Sequence, residues 1–210
     1  MLVLPRLFAR LKNAVGLCLA VAPLVCGCTV DDPFVDNPGD QNQRTQSAYA
    51  DVVTGYGAGP FITQCTTSLP VCDKGKVLTP QAGPCANNPA LGAPDMKTFK
   101  IGALGKIEIG LLCGTIYEIG PEANGMPSMD FKLWATASAD ALPQVEVSVD
   151  GSEYVPLNGW AKSGAGYADN PGFELEAQEL YAARFVRIAE AGGHGTILVD
   201  ALEAFPVKRP

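Results

Sequence analysis

The run Gln144-Val-Glu-Val-Ser-Val149, followed at once by Asp150-Gly151, constrains this chain more than any other stretch. Side chains alternate across a strand, so Val145, Val147 and Val149 share one face and Glu146 and Ser148 the other. Asp-Gly supplies the positive φ that a tight hairpin needs at its centre, and Glu153-Tyr-Val-Pro-Leu157 is expected to pair back on the valine strand. Further short runs of this kind recur from Lys97 onward. Lys106 to Leu112 alternates at its start, and Met129 to Ala135 sets Met, Phe, Leu and Ala against Asp, Lys and Trp. Arg184-Phe-Val-Arg-Ile188 turns Val186 and Ile188 inward, and Thr196 to Phe205 closes the series. Many short alternating runs at regular spacing read as a sandwich or barrel. The 23 glycines and 17 prolines among 210 residues are too many for a helical bundle and natural where strands meet in turns. The expected fold class is therefore all-β. Glu174 to Ala183 has helical composition, but its flanking strands leave room for only a turn or two.

The first 12 residues are basic and acid-free, and Ala14 to Val25 is apolar, the pattern of a secretory signal peptide. That apolar run is too short to span a bilayer comfortably. It ends in Val25-Cys26-Gly27-Cys28, which resembles the bacterial lipobox, with Cys28 as the residue that would receive the lipid and become the new N-terminus. The competing reading is an ordinary signal peptide with a cysteine near its end. Thr29 rather than Asp follows Cys28, which by resemblance to lipoprotein sorting implies the outer membrane or cell surface. Membrane contact would then be made by acyl chains alone. Residues 29–47 are polar and turn-rich with little to bury, and are expected to form a flexible tether. The organisation expected is a leader over 1–27, a lipidated cysteine and tether over 28–48, a loop-rich, disulfide-stapled first part over 49–95, and the sandwich body over 96–210. Within 49–95, one short strand near Tyr49 to Val53 is expected.

Removing the leader takes away three of the 15 basic residues and none of the 22 acidic ones. A surface that tracks phosphates needs clustered Lys and Arg, so nucleic-acid binding is disfavoured. Once Cys18, Cys26 and Cys28 are set aside, Cys65, Cys72, Cys85 and Cys113 remain, an even number in an exported chain, which suggests two disulfides. Three pairings are open. Cys65–Cys72 with Cys85–Cys113 is the one expected. A four-cysteine zinc site competes, but no Cys-x-x-Cys pair is present to support it.

The hairpin Val145 to Leu157, then Ala183-Arg-Phe-Val-Arg-Ile188, then Gly195-Thr-Ile-Leu-Val-Asp-Ala-Leu-Glu-Ala204 resemble in order the second half of the discoidin, or coagulation-factor type C, domain. Upstream, Ala90 to Asp95, Lys106 to Leu112 and Ser128 to Trp134 resemble the first half as it occurs in bacterial surface lipoproteins. The resemblance implies a galactose-binding-like β-sandwich jelly roll over about residues 88–205. In that family, loops at one end bind sugars, lipid head groups or proteins, which does not choose among them. It also implies a structural calcium, for which Asp95 and Glu203 are the matching positions, with Asp130 and Asp200 in reserve.

Sugar binding needs an aromatic face beside polar groups, and such sites are usually loop-borne. Residues 154–170 offer Tyr154, Asn158, Trp160, Lys162, Tyr167, Asp169 and Asn170 in a Gly-rich connection. Trp160 and Tyr167 are the expected platform, with Asp169 or Asn170 taking hydroxyls; the alternative is that Trp160 plugs the sandwich rim. No catalytic constellation emerges. His194 stands alone among glycines and lacks a nucleophile elbow, while Glu174, Glu176 and Glu179 crowd one short segment instead of facing across a cleft. The expected function is a non-catalytic cell-surface module that binds glycans. The alternative is a structural or interaction lipoprotein of the envelope that binds a protein partner. Exposed apolar loop tips without an aromatic–polar pocket would favour that alternative.

Overall fold

The computed structural model describes residues 48–58, 63–65, 70–73, 76–118, 129–157, 159–175 and 178–205. The expected leader, Cys28, the tether up to Ser47, Asn158 and Glu176 lie outside the described residues. Every strand pairing among the described residues is antiparallel, and none of those residues is in an α-helix.

Two larger sheets carry the fold. The first orders β1 (Ala48–Tyr49), β17 (Ile197–Ala204), β9 (Phe131–Ala137) and β14 (Gly172–Phe173), with β6 (Phe99–Ile101) also on β17. The second orders β11 (Val155–Pro156), β10 (Pro143–Ser148), β16 (Phe185–Glu190), β7 (Gly105–Gly110), β2 (Val52–Ala58) and β3 (Thr63–Gln64). Small ribbons pair β4 (Val71–Asp73) with β5 (Lys76–Thr79), β8 (Ile116–Tyr117) with β15 (Ala182–Ala183), and β12 (Lys162–Ser163) with β13 (Gly166–Tyr167).

The alternation explains the core. Val145, Val147, Val186, Ile188, Ile107 and Ile109 from one sheet and Phe131, Leu133, Ile197, Val199 and Leu202 from the other are all buried in a single cluster. Phe131 stacks on Phe173 with ring centres 5.1 Å apart. Removing this apolar area from water is the main stabilising term, at about 25 cal/mol per Å².

The hairpin forms with the expected strands, Val147 opposite Val155, although the link between them is wider than a two-residue turn. Asp150 explains the width, because its carboxylate accepts Ser152 N at 2.8 Å and Ser152 Oγ at 2.7 Å and so closes a turn of its own. Those bonds hold its carboxyl down at about 2. Gly151 takes the left-handed φ of 81° there.

Residues 49–95 depart from a loop-dominated flap. The expected short strand belongs to both sheets: Tyr49 is in β1, and β2 runs seven residues along β7. Ala48, placed in the tether, already pairs with Ala204. The disulfides are Cys65–Cys85 and Cys72–Cys113, not the expected Cys65–Cys72 and Cys85–Cys113. A buried amide contributes to that arrangement. Gln81 accepts Val53 N at 3.0 Å and donates to Val53 O at 2.7 Å and Cys65 O at 3.4 Å, bringing the 81–85 stretch against Cys65.

Candidate functional site

In the segment expected to hold a sugar, Trp160 turns inward while Ala161, Lys162, Gly164, Ala165 and Asp169 are exposed. Trp160 is only 4% exposed, and its Nε1 donates to Ala168 O at 2.6 Å. It belongs to the core cluster, a position that fits the rim-plug alternative better than an exposed platform. Tyr167 packs on the same cluster and donates its hydroxyl to Ala141 O at 2.8 Å, with Lys162 Nζ 5.0 Å from its ring centre. Asn170 adopts φ 50° and donates its backbone N to Ala135 O, while Asp169 is exposed. Tyr154 is elsewhere, on the outer face of the second sheet.

On that face Glu146, Arg187 and Glu108 stand in one row across β10, β16 and β7. Arg187 reaches Glu108 at 2.9 Å and Glu146 at 3.0 Å, and its guanidinium sits 3.6 Å from the Tyr154 ring centre. Burial, with Glu108 nearby, pushes the Tyr154 phenol up to about 12. This closed ion-pair row braces the sheet and presents no free charge pair.

The positions named for calcium are each engaged by the protein's own groups. Asp95 pairs with Lys97 at 2.7 Å, and Asp200 accepts Asp95 N and Met96 N at the β17 bulge. Glu203, itself buried, accepts Trp134 Nε1 at 2.8 Å and Tyr49 OH at 3.4 Å on the outer face of the first sheet. Asp130 is buried and accepts Leu175 N at 2.6 Å. Each of these carboxylates is committed to a separate structural task.

Two features were missed in the sequence. The first is that outer face, where Lys132 Nζ lies 3.7 Å from the Trp134 ring centre and Glu203 joins Trp134 to Tyr49. The outward parity of Trp134 in β9 was its signal. The second is the end of the sandwich organised by Glu190, which continues the inward parity of Val186 and Ile188 and is 1% exposed. Its carboxylate accepts Leu104 N at 3.1 Å, Leu142 N at 3.0 Å, Gly192 N at 2.9 Å and Gly193 N at 2.8 Å. Burial raises the Glu190 carboxyl, but the four N–H groups outweigh it and hold the carboxyl below its ordinary value. Three loops are thereby locked together. Gly195 packs so closely on Ala141 that a Cβ there would lie 2.1 Å from the Ala141 Cα.

At this braced end Leu104 is 55% and Leu142 50% exposed, and Leu104 holds φ 54°. Ala48 lies at the opposite end: it pairs with Ala204, which pairs with Phe131 at the start of β9. The leucine loops border the other end, where Ala137 pairs with Ile197. A seven-residue strand separates the two ends by about 20 Å. Comparison with family models, with curated proteins and with solved structures returns no match.

Proposed function

We propose that this chain is a non-catalytic binding module of the bacterial cell envelope, and that it contacts a protein partner through the Glu190-braced loop end. One observation carries this reading: two exposed leucines on separate loops are fixed by one buried carboxylate. Apolar side chains held out on rigid loops lose little entropy on binding and suit an apolar recess in a partner. The burial of Trp160 speaks against an aromatic glycan platform in 154–170. The proposed address belongs to the same reading: a lipid on Cys28 that anchors the module to the envelope. A jelly roll of the galactose-binding-like type is the proposed fold family.

The test is a photo-crosslinking amino acid placed singly at Leu104, Leu142 and Tyr181 of the envelope-localised protein. Tyr181 is 83% exposed and lies beyond the start of β16, away from the leucines. One discrete protein adduct from both leucine positions and not from Tyr181 is expected. Adducts to lipid only, or equal adducts from all three, contradict the reading.

A second reading keeps the glycan and moves it to the outer face of the first sheet, where Tyr49 and Trp134 are half-buried. Tyr49 and Trp134 flanking Glu203 favour it. A glycan array with wild type and Trp134→Ala checks this: a hit lost in the variant supports a sugar on that face.

A further inference from the structure

We propose that Cys72, Cys113 and Asp51 form a redox-gated site for zinc or a similarly thiophilic divalent cation, opened when a dithiol reduces the Cys72–Cys113 disulfide. The sulfurs of both cysteines and a carboxylate oxygen of Asp51 lie within 4.8 Å of one another. Zinc bond lengths to sulfur and oxygen place neighbouring ligand atoms about 3.5 to 3.8 Å apart, so modest rotation of side chains already gathered here is sufficient. Two thiolates and a carboxylate are a donor set for zinc, and a fourth position remains for water or a partner.

The two disulfides differ in reach. Cys65 and Cys85 are 0% and 1% exposed, whereas Cys72 is exposed on the β4–β5 ribbon and Cys113 is buried. A dithiol thiolate can attack Cys72 Sγ; the S–S bond breaks and Cys113 leaves as a thiolate. The second thiol of the dithiol then displaces Cys72, closing the reagent's own disulfide. Two electrons and two protons pass from the dithiol to the protein pair. When the ion binds, the two cysteine thiols release their protons as the ligands become thiolates.

Asp51 is held ready for such an ion. Its two oxygens accept Leu112 N at 2.7 Å and Cys113 N at 2.6 Å, and its own N donates to Gly110 O at 2.9 Å. Each oxygen keeps a second lone pair, and hydrogen bonds of this kind orient a ligating carboxylate. These bonds do not need the disulfide. Cys113 therefore stays beside Asp51 after reduction, and the Cys65–Cys85 bridge and Gln81 still hold the neighbouring chain.

The experiment reduces the folded protein with dithiothreitol, removes the reagent without air, and titrates cobalt(II) followed by zinc. Alkylation and peptide mapping identify the cysteines that opened. The expected result is Cys72 and Cys113 open with Cys65 and Cys85 closed. One cobalt per chain should give a sulfur-to-cobalt charge-transfer band that zinc abolishes, and the oxidised protein should give no band. Asp51→Asn should weaken binding at least about tenfold. Where that variant does not fold, Cys72→Ser on the exposed ribbon replaces it and should remove the two-sulfur band. Resistance of Cys72–Cys113 to reduction, opening of Cys65–Cys85 alongside it, absence of the band in the reduced protein, or unchanged affinity in the variant used would each overturn the proposal.

Discussion

Trp160 meets Tyr167 edge to face, with ring centres 6.4 Å apart, and both direct their polar atoms to backbone carbonyls. The pair is a hydrogen-bonded wedge between the 159–170 segment and the rim. Trp160→Ala should therefore act on stability: loss of a buried aromatic costs about 3 to 5 kcal/mol. Thermal melting should show a clear drop in Tm, with the affinity of the folded fraction for any partner unchanged. An unchanged Tm with weakened binding would return Trp160 to the role of platform.

The same wedge shows where sequence reading succeeds and where it stops. Strand faces were legible because Val145, Val147, Val186 and Ile188 follow period two, and burial follows parity in antiparallel sheets. Asp200, named as a reserve calcium position, instead bonds the turn amides of Asp95 and Met96 from the β17 bulge, a contact its sequence neighbourhood does not reveal. Loop aromatics have no such period. Whether Trp160 faces solvent depends on Ala168 O and the distant rim, which the sequence does not place beside it. Glu190 was legible by parity, but an inward acid has meaning only once the Leu104, Leu142, Gly192 and Gly193 amides are known to converge on it. Disulfide pairing was hidden for a like reason, since Gln81 folds the 63–85 stretch back on itself.

Glu190→Gln keeps the side-chain shape but turns one acceptor oxygen into a donor, leaving two of its four backbone N–H groups without a partner. A loss of about 2 to 4 kcal/mol is expected, read by urea unfolding at pH 7. The folded carboxyl lies below its ordinary value of 4.5, so its contribution is present above that pH and fades as pH falls through the folded value. The gap between wild type and variant should accordingly narrow as pH falls below that ordinary value, which unfolding curves at a series of acidic pH values would resolve. A gap independent of pH would show that the carboxylate charge has no part.

Non-reducing peptide mapping should recover Cys65 linked to Cys85 and Cys72 linked to Cys113, with no free thiol among the four. Replacing Cys65 and Cys85 together by serine should cost about 3 kcal/mol from the loop they close, and more from the polar atoms left in the core. Recovery of Cys65–Cys72 peptides would contradict the observed pairing.

Contact through the Glu190-braced end is checked by the dissociation constant of the crosslinked partner for Leu104→Ser/Leu142→Ser. Both side chains are half exposed, so Tm should stay within about 2 °C of wild type. Affinity should fall by about thirtyfold or more, which corresponds to about 2 kcal/mol at a contact centre. Wild-type affinity in the folded double variant would contradict the claim and place the contact elsewhere on the sandwich.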